Sequence, residues 1–346
     1  MRYESYSEVM YSLQKKKRRA NLLLGNGFSM SYDPDIFSYN ALYDFIASIN
    51  DELLTKLFSA IKTKNFELIM QQLDTFLALL DAFEAEHRLQ EQIKKASALL
   101  KQSLLNAVKA LHPEHVFKVP EEKSTACANF FGEFLNGGGQ IYTTNYDLLL
   151  YWVLMRQDMG HGDGCGREIE NPIEAAEGDE PEWSELRWGI NIDTQNVFYL
   201  HGALQFFDTG VEIVKEQYDH EGYLLDNISK RLDSGEYPIF VTAGDGDEKL
   251  AHIRHNRYLS HCYDSFTKMD GSLVTFGFGF GEYDNHIIDA INKAAHYGSK
   301  LPPKLWSIYI GTYSQADVEH IEKITPNFRI KVHTFDAKTA NVWGEI

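Results

Sequence analysis

Cysteine, long apolar runs and positive charge are all scarce in this chain of 346 residues. Its three cysteines, Cys127, Cys165 and Cys262, lie far apart and form no Cys-x-x-Cys pair. This spacing excludes a disulfide framework and a four-cysteine zinc site, so we expect a zinc-free fold in reducing surroundings. Because no run of about 18 apolar residues occurs and the N-terminus lacks the apolar stretch of a signal peptide, we expect a cytoplasmic protein without a membrane span.

Negative charge outweighs positive charge, and the formal net charge is -17 at pH 7. A protein that binds a nucleic-acid backbone needs clustered Lys and Arg side chains that displace counterions. We therefore expect no direct nucleic-acid binding. Hydrophobic residues make up 44% of the chain, which is enough to bury the core of one large domain or of two smaller ones.

Three short motifs each follow an apolar run that is typical of a buried parallel strand. They are, in chain order, Gly25-Asn26-Gly27-Phe28-Ser29 after residues 20–24, Thr143-Thr144-Asn145-Tyr146-Asp147 after residues 140–143, and His201-Gly202 after residues 197–200. Open α/β sheets bind ligands at the carboxyl ends of their strands, so we expect the motifs to converge. Gly25 and Gly27 would let the backbone approach a phosphate at the start of a helix. However, Met30 stands where the dinucleotide fingerprint has its third glycine.

A second glycine-rich turn, Phe276-Gly277-Phe278-Gly279-Phe280-Gly281, follows a predicted strand at residues 273–276 and precedes a predicted helix at residues 284–294. Alternating Phe and Gly suits an adenosine pocket, in which small residues admit the ligand and rings stack on it. The same pattern also suits a tightly packed strand end. Further strands are predicted at residues 239–242, 305–310 and 330–335, with a helix at residues 314–324.

Two segments interrupt the alternation of strands and helices. Residues 42–115 carry apolar side chains at three-to-four spacing, with no proline or glycine before position 113, and this predicts a helical insertion. Residues 158–195 are rich in Gly, Asp and Glu and show no sustained period. This second segment is either a lid over the site or a plain surface insertion.

Together these motifs resemble those of the Sir2-like NAD-hydrolysing proteins, and in particular their compact bacterial group. The most specific piece is residues 143–152, and the similarity continues through residues 200–204 and Asp284-Asn285-His286-Ile287. The resemblance implies a single α/β domain over residues 1–346 with a three-layer, Rossmann-like parallel sheet. It implies that Asn145 and His201 form the catalytic pair. The residues expected to bind the dinucleotide are Gly25, Asn26, Gly27, Phe28, Ser29, Thr144, Asp147, Gly277, Phe278, Gly279 and Asp284.

Cleavage of the bond between nicotinamide and ribose passes through a state that resembles an oxocarbenium ion. Asn145 would hold the ribose and orient a water, because a carboxamide both donates and accepts hydrogen bonds. Asp147 would accept a hydrogen bond from the nicotinamide amide, and His201 would contact a ribose hydroxyl and act as a general base. NAD would be consumed as a substrate, no metal would be needed, and the second product would be ADP-ribose or cyclic ADP-ribose.

Many proteins of the resembled group deplete NAD in bacterial antiphage defence. The resemblance therefore implies an effector that is restrained by a homo-oligomer, by a regulatory or sensor partner, or by residues 158–195. Two alternatives stay open. A zinc-free NAD-dependent protein deacylase is disfavoured because the zinc-binding cysteines are absent and a helical block separates the first two motifs. A non-catalytic module that senses NAD or ADP-ribose is disfavoured because such a binder has no need of both Asn145 and His201.

Overall fold

The structure is a computed structural model that describes most of the chain. The described residues are 3–34, 52–61, 66–83, 87–112, 115–157, 159–177, 179–218, 223–233, 236, 238–241, 246–296, 302 and 304–344. Its strands are β1 (Ala20–Leu24), β2 (Ile141–Thr143), β3 (Cys165–Gly166), β4 (Arg187–Trp188), β5 (Val197–Tyr199), β6 (Gly202–Asp208), β7 (Ile213–Lys215), β8 (Pro238–Phe240), β9 (Gly271–Phe276), β10 (Leu305–Thr312) and β11 (Lys331–Asp336).

Helices occupy most of the sequence between these strands, which makes the fold α/β. The described α-helices are Tyr6–Lys15, Asn26–Tyr32, Glu52–Ile61, Phe66–Ala82, His87–Leu111, Glu121–Leu135, Leu149–Arg156, Pro172–Glu177, Leu224–Asp233, Gly246–His255, Arg257–Phe266, Asn285–Ala294 and Gln315–Ile324. Short 3-10 turns occur at Val116–Lys118, Ile192–Thr194, Thr325–Asn327 and Ala337–Ala340. None of the helices in the described ranges has the length and apolar character needed to cross a membrane.

The main sheet has six parallel strands in the order β11-β10-β9-β1-β2-β5. When these six strands are renumbered from 1 to 6 in chain order, their order across the sheet, starting from β5, is 3-2-1-4-5-6. This is the strand order of doubly wound dinucleotide-binding folds. The strand order reverses between β1 and β9, and a ligand crevice forms at such a switch point. The sheet therefore fits the predicted Rossmann-like α/β class, and the specific Sir2-like identity stays a prediction.

The ends of four neighbouring strands lie level with one another. Leu24 of β1 is paired with Thr143 of β2 on one side and with Phe276 of β9 on the other, and Thr143 is paired with Tyr199 of β5. Each strand is short and buried, as its run of apolar residues predicts. All the predicted motifs consequently begin at the same edge of the sheet.

A second sheet, which the sequence interpretation missed, takes two strands from the segment between β2 and β5 and three from the segment between β5 and β9. It has five strands in the order β3-β4-β7-β6-β8, and their pairings are antiparallel. The strand predicted at residues 239–242 is β8 of this sheet, and residue 242 lies outside the described residues. Gly202 joins the two sheets in a left-handed conformation, with φ of 81°, which glycine adopts without a steric penalty. His201 is thereby fixed at the junction between them.

Both predicted insertions contain regular structure. Within residues 42–115 the helices Glu52–Ile61, Phe66–Ala82 and His87–Leu111 pack on one another, as the apolar spacing predicts, while residues 42–51, 62–65, 84–86 and 113–114 lie outside the described residues. Residues 158–195, of which 158 and 178 are not described, supply β3 and β4 to the second sheet. A lid function for this segment stays a prediction.

A buried ion pair anchors the second insertion to the second sheet. The ammonium of Lys215 on β7 pairs with the carboxylate of Asp163, and it also lies 4.3 Å from the centre of the Tyr151 ring. Burial alone would raise the pKa of Asp163, but the Lys215 ammonium holds that pKa below its usual range. The segment is therefore held at its start by charge as well as by strand pairing.

Candidate functional site

The two glycine-rich turns pack directly against each other at the switch point. The backbone N–H of Gly25 donates to the Phe276 carbonyl at 3.1 Å, and that of Gly27 donates to the Gly277 carbonyl at 2.9 Å. A Cβ at Gly25 would lie 2.6 Å from the Gly277 carbonyl oxygen. These glycines are therefore required by the contact between the turns, whether or not a ligand approaches.

The two sequence interpretations of the second turn apply to different residues of it. Gly277 has φ of 68° and its Cα would lie 2.6 Å from a Cβ on Gly27, so tight packing explains this position. A Cβ on Gly279, in contrast, would meet no atom within 4 Å among the described residues. The open side at Gly279 leaves room for a ligand, and the adenosine pocket at Phe278 and Gly279 stays a prediction.

A buried polar cluster joins the first two motifs. The Asn145 Nδ2 donates to the Ser29 hydroxyl at 2.9 Å, and the Ser29 hydroxyl donates to Asp147 Oδ2 at 2.5 Å. Asp147 Oδ1 accepts the backbone N–H of Leu149 at 2.9 Å, at the start of the helix Leu149–Arg156. Burial raises the pKa of Asp147, although the hydrogen bonds from Ser29 and from backbone N–H groups oppose that shift. The predicted residues Ser29, Asn145 and Asp147 are thus in contact.

The backbone that carries Asn145 and Asp147 is held from both sides. The Thr143 hydroxyl accepts the Asn145 N–H at 3.0 Å, and His112 Nε2 accepts the Leu148 N–H at 3.0 Å. The His112 ring also stands edge-on to Trp152, with 4.5 Å between ring centres. His112 was not among the predicted site residues, since nothing in a separation of 36 residues indicates this contact.

The third motif meets the helix that follows the second glycine-rich turn. The Nε2 atoms of His201 and His286 lie 2.9 Å apart, and the two rings are stacked with 5.1 Å between their centres. Nearby, the Lys249 ammonium pairs with Asp284 at 3.3 Å. Burial, followed by the charge of Lys249, lowers the pKa of His286 to about 3. Burial, His286 and Lys249 also hold the pKa of His201 well below its usual range.

The histidine pair connects the two halves of the main sheet. His201 follows β5 and His286 lies beyond β9, and β1 and β2 stand between those strands. Three inter-strand spacings of about 4.8 Å separate β5 from β9 by roughly 14 Å. The two segments therefore reach toward each other across the carboxyl edge, where Asn145 and His201 each lie two residues beyond the paired positions Thr143 and Tyr199.

The polar cluster at Ser29 and the histidine pair are both closed to solvent. The buried side chains and their exposed fractions are Ser29 (0%), Asn145 (8%), Asp147 (7%), His201 (4%), His286 (2%) and Lys249 (1%). A cavity of about 380 Å³ adjoins the second glycine-rich turn at Phe280 and Gly281, and another of about 360 Å³ lies against the second sheet at Arg187. Neither is lined by Asn145 or His201. Within the described ranges no group of three or more His, Cys, Asp or Glu residues could hold a metal ion.

The histidine pair predicts acid sensitivity. Because the folded-state pKa of His286 lies near 3 and that of an unfolded histidine near 6.5, the unfolded chain binds more protons between these values. Stability is then fully present above about pH 6.5 and falls as the pH decreases through that window. We expect His286 to remove about 2 kcal/mol from the free energy of unfolding between pH 7 and pH 5.

Urea unfolding at pH 7 and pH 5 measures this loss in the wild type and in His286→Gln. The variant should lose less stability on acidification than the wild type, whatever its stability at pH 7. His252→Gln, which replaces an exposed histidine on the helix Gly246–His255, should keep the wild-type difference. An unchanged pH dependence in His286→Gln would show that His286 does not contribute to it.

Comparison with known proteins assigns the chain to a family. Residues 22–343 match the family described as a domain of unknown function (DUF4917), and the chain belongs to it. No curated protein matches the chain. The family match extends from β1 to beyond β11 and so includes both sheets and every predicted site residue.

Proposed function

We propose that this DUF4917 protein is an NAD glycohydrolase that cleaves the nicotinamide–ribose bond and releases nicotinamide and ADP-ribose. The observation that carries the proposal is the buried cluster of Ser29, Asn145 and Asp147 at the carboxyl ends of β1 and β2. It lies next to the switch point between β1 and β9 in a sheet with the dinucleotide-binding strand order. Formation of cyclic ADP-ribose, in which adenine replaces water as the nucleophile, would use the same site.

The reaction needs little acid or base chemistry from the protein. The bond between ribose C1′ and the nicotinamide ring nitrogen breaks, and its electron pair neutralises the charge of that nitrogen. The oxygen of a water molecule then forms a bond to C1′, and one proton of that water passes to a base or to solvent. The protein has to hold the ribose, stabilise the positive charge that develops on it, and place the water.

Asn145 is suited to that placement because its carboxamide is oriented by other protein groups. Its Nδ2 donates to the Ser29 hydroxyl, which in turn donates to Asp147. The chain of hydrogen bonds leaves Asn145 Oδ1 as the atom to accept a hydrogen bond from water or from a ribose hydroxyl. An amide held in this way needs no reorganisation when the oxocarbenium-like state forms.

His201 would contact a ribose hydroxyl. Its lowered pKa keeps the imidazole neutral at pH 7, and a neutral imidazole offers one N–H donor and one lone pair. The predicted contact of Asp147 with the nicotinamide amide is possible only through lone pairs that Ser29 and Leu149 leave unused. The open side at Gly279 leaves room for a ligand. The buried Nδ1 of His286 has no partner in the described part of the chain, and a polar group of that ligand would supply one.

The closed site supports the further proposal that the activity is restrained. Side chains that are less than a tenth exposed cannot reach a substrate until the surrounding residues move apart. A trigger that opens the site would allow NAD hydrolysis only when it is needed, as expected of an antiphage effector. A homo-oligomer or a sensor protein would be a suitable source of this control.

One observation favours a second candidate, a module that binds NAD or ADP-ribose without turnover. Ser29, Asn145 and Asp147 satisfy one another's hydrogen bonds, which is also what a purely structural cluster would do. Binding of NAD without release of nicotinamide would distinguish this candidate from the hydrolase.

The proposal is tested by incubating the full-length protein with NAD and following free nicotinamide by proton NMR, with and without extract of phage-infected bacterial cells. We expect the wild type to release nicotinamide and His201→Ala to lose most of that rate. His333→Ala, at a histidine stacked on Tyr309 in the outer part of the main sheet, is the matched control. A wild type that stays inactive under both conditions, or a His201→Ala variant as active as the wild type, contradicts the proposal.

A further inference from the structure

His286 contacts His201 but was not among the predicted site residues. Its Nε2 lies 2.9 Å from His201 Nε2, and its carbonyl accepts the Tyr263 hydroxyl at 2.9 Å. The ring lies in the first turn of the helix Asn285–Ala294, which fixes its backbone. His286 therefore contacts a proposed catalytic group from a rigid element.

The surroundings of His286 determine which ring donates in this pair. Its Nδ1 is buried and has no hydrogen-bond partner among the described residues. If His286 carried its proton on Nδ1, it would bury an N–H without an acceptor, and the desolvation of that N–H would be uncompensated. Buried orphan N–H groups are rarer than under-satisfied acceptors. The proton of His286 therefore belongs on Nε2, where it can be donated to His201.

We propose that His286 is a positioning residue for His201: by donating from its Nε2–H to His201 Nε2, it fixes the His201 proton on Nδ1 and sets the orientation of the ring. The role in the reaction rests on the proposed NAD hydrolysis, whereas the hydrogen bond itself does not. Hydrogen-bond partners of this kind fix the tautomer and orientation of functional histidines in many sites.

This assignment changes the role of His201 in the reaction. With its proton on Nδ1 and its Nε2 lone pair occupied by His286, His201 meets NAD as a hydrogen-bond donor to a ribose hydroxyl oxygen. It is not the general base that the sequence predicts. The proton lost by the attacking water passes instead to solvent, which the oxocarbenium-like state permits because that state reacts with neutral water.

Burial, together with the charge of Lys249, keeps both rings neutral. Lys249 on the helix Gly246–His255 acts on both rings, and its ammonium is paired with Asp284 at the start of the helix Asn285–Ala294. The buried ammonium of Lys249 disfavours a second positive charge on either imidazole. We therefore expect kcat to be flat between pH 5.5 and pH 8, a range in which a histidine base with its usual pKa of about 6.5 would titrate.

The hydrogen bond is tested first in the protein without NAD. Nitrogen-15 NMR of histidine-labelled protein reports which ring nitrogen carries the proton, and the spectrum of His201→Gln assigns the His201 signals. We expect the wild type to hold His201 as the neutral Nδ1–H tautomer. A proton on His201 Nε2 in the wild type overturns the proposal without any further variant.

Two substitutions of His286 then separate positioning from packing. His286→Gln keeps an N–H donor at nearly the same reach, whereas His286→Leu removes it. We expect His286→Leu to give a mixture of His201 tautomers and to lower kcat roughly 10- to 100-fold, the usual effect of losing such a partner. Its KM should stay close to that of the wild type.

His286→Gln should retain the wild-type tautomer and most of kcat. If His286→Gln loses as much kcat as His286→Leu, or if His286→Leu keeps the wild-type tautomer, the positioning role is wrong. A wild type with the expected tautomer but no nicotinamide release would support the hydrogen bond and refute the NAD proposal, so the two failures are distinguishable.

Discussion

Replacement of Asn145 by alanine is expected to lower kcat for nicotinamide release roughly 10²- to 10³-fold, which is the usual effect of removing one preorganised contact to a developing charge. The loss arises because the water and the ribose are no longer held at the oxocarbenium-like centre. Binding of NAD should change much less than kcat, since most contacts to the dinucleotide lie elsewhere. Initial rates over a range of NAD concentrations separate the two quantities.

Asn21 offers a matched control for this substitution. It is equally buried and lies on β1, but near the other end of the strand. Its Nδ2 donates to the Asp270 carbonyl at 2.6 Å and its Oδ1 accepts the Gln140 N–H at 3.1 Å. Asn21→Ala should lower the melting temperature but leave kcat per folded molecule unchanged. If Asn145→Ala keeps the wild-type kcat, the assignment of Asn145 is wrong.

Substitution of Gly277 by alanine should produce a large loss of stability. The new Cβ would lie 2.3 Å from the Phe28 backbone nitrogen and 2.5 Å from the Gly27 carbonyl carbon, and the residue would have to adopt φ of 68°. Because both obstacles are backbone atoms, the two glycine-rich turns would have to separate. We expect the free energy of unfolding to fall by about 4 kcal/mol or more.

Gly279, two residues further on, provides the comparison within the same turn. A Cβ there meets no described atom within 4 Å, and its φ is not in the left-handed region. Gly279→Ala should therefore change the free energy of unfolding by less than about 1 kcal/mol. Equal losses in the two variants, measured by urea unfolding, would contradict the packing of the two turns described here.

The sequence predicted the main sheet well because its strands carry local patterns. The strand at residues 20–24 is found with the predicted bounds, and the strands before Asn145, His201 and Gly277 begin or end within two residues of their predicted positions. Each is a short apolar run bounded by Gly, Asn or Asp, and each is buried on both faces of a parallel sheet. Such runs contain nearly all the information that defines a buried strand.

The second sheet was missed because its strands are short and pair over long separations. β3 and β4 have two residues each, and Arg187 of β4 is paired with Val214 of β7. The apolar run at residues 203–207, followed by Thr209-Gly210 and by Ile213, is the one local indication of a hairpin. The segment at residues 158–195 shows no period because β3 and β4 are too short to create one. Its strands are recognised only from their pairing with each other and with β7.

The residue types of the site can be read from the sequence. Which of its side chains meet depends on the topology of the fold. Ser29, Asn145 and Asp147 were predicted to share a site because they follow strands that end at the same edge. The contact of His201 with His286 was not predicted, although both lie in recognised motifs, because it crosses two intervening strands and 85 residues. Sequence patterns identify the segments at the edge of a sheet, whereas the meeting of individual side chains depends on how the loops fold over that edge.

The most direct test of the account is whether NAD occupies the switch point between β1 and β9. Amide hydrogen exchange of the full-length protein should be followed with an NAD analogue whose nicotinamide-bearing ribose has a methylene group in place of the ring oxygen, so that an oxocarbenium-like state cannot form. The account predicts that exchange slows together in residues 25–29, 144–147 and 277–281, by roughly tenfold or more. Protection confined to the cavity at Phe280 and Gly281 or to the cavity at Arg187, or no protection in residues 144–147, would contradict it.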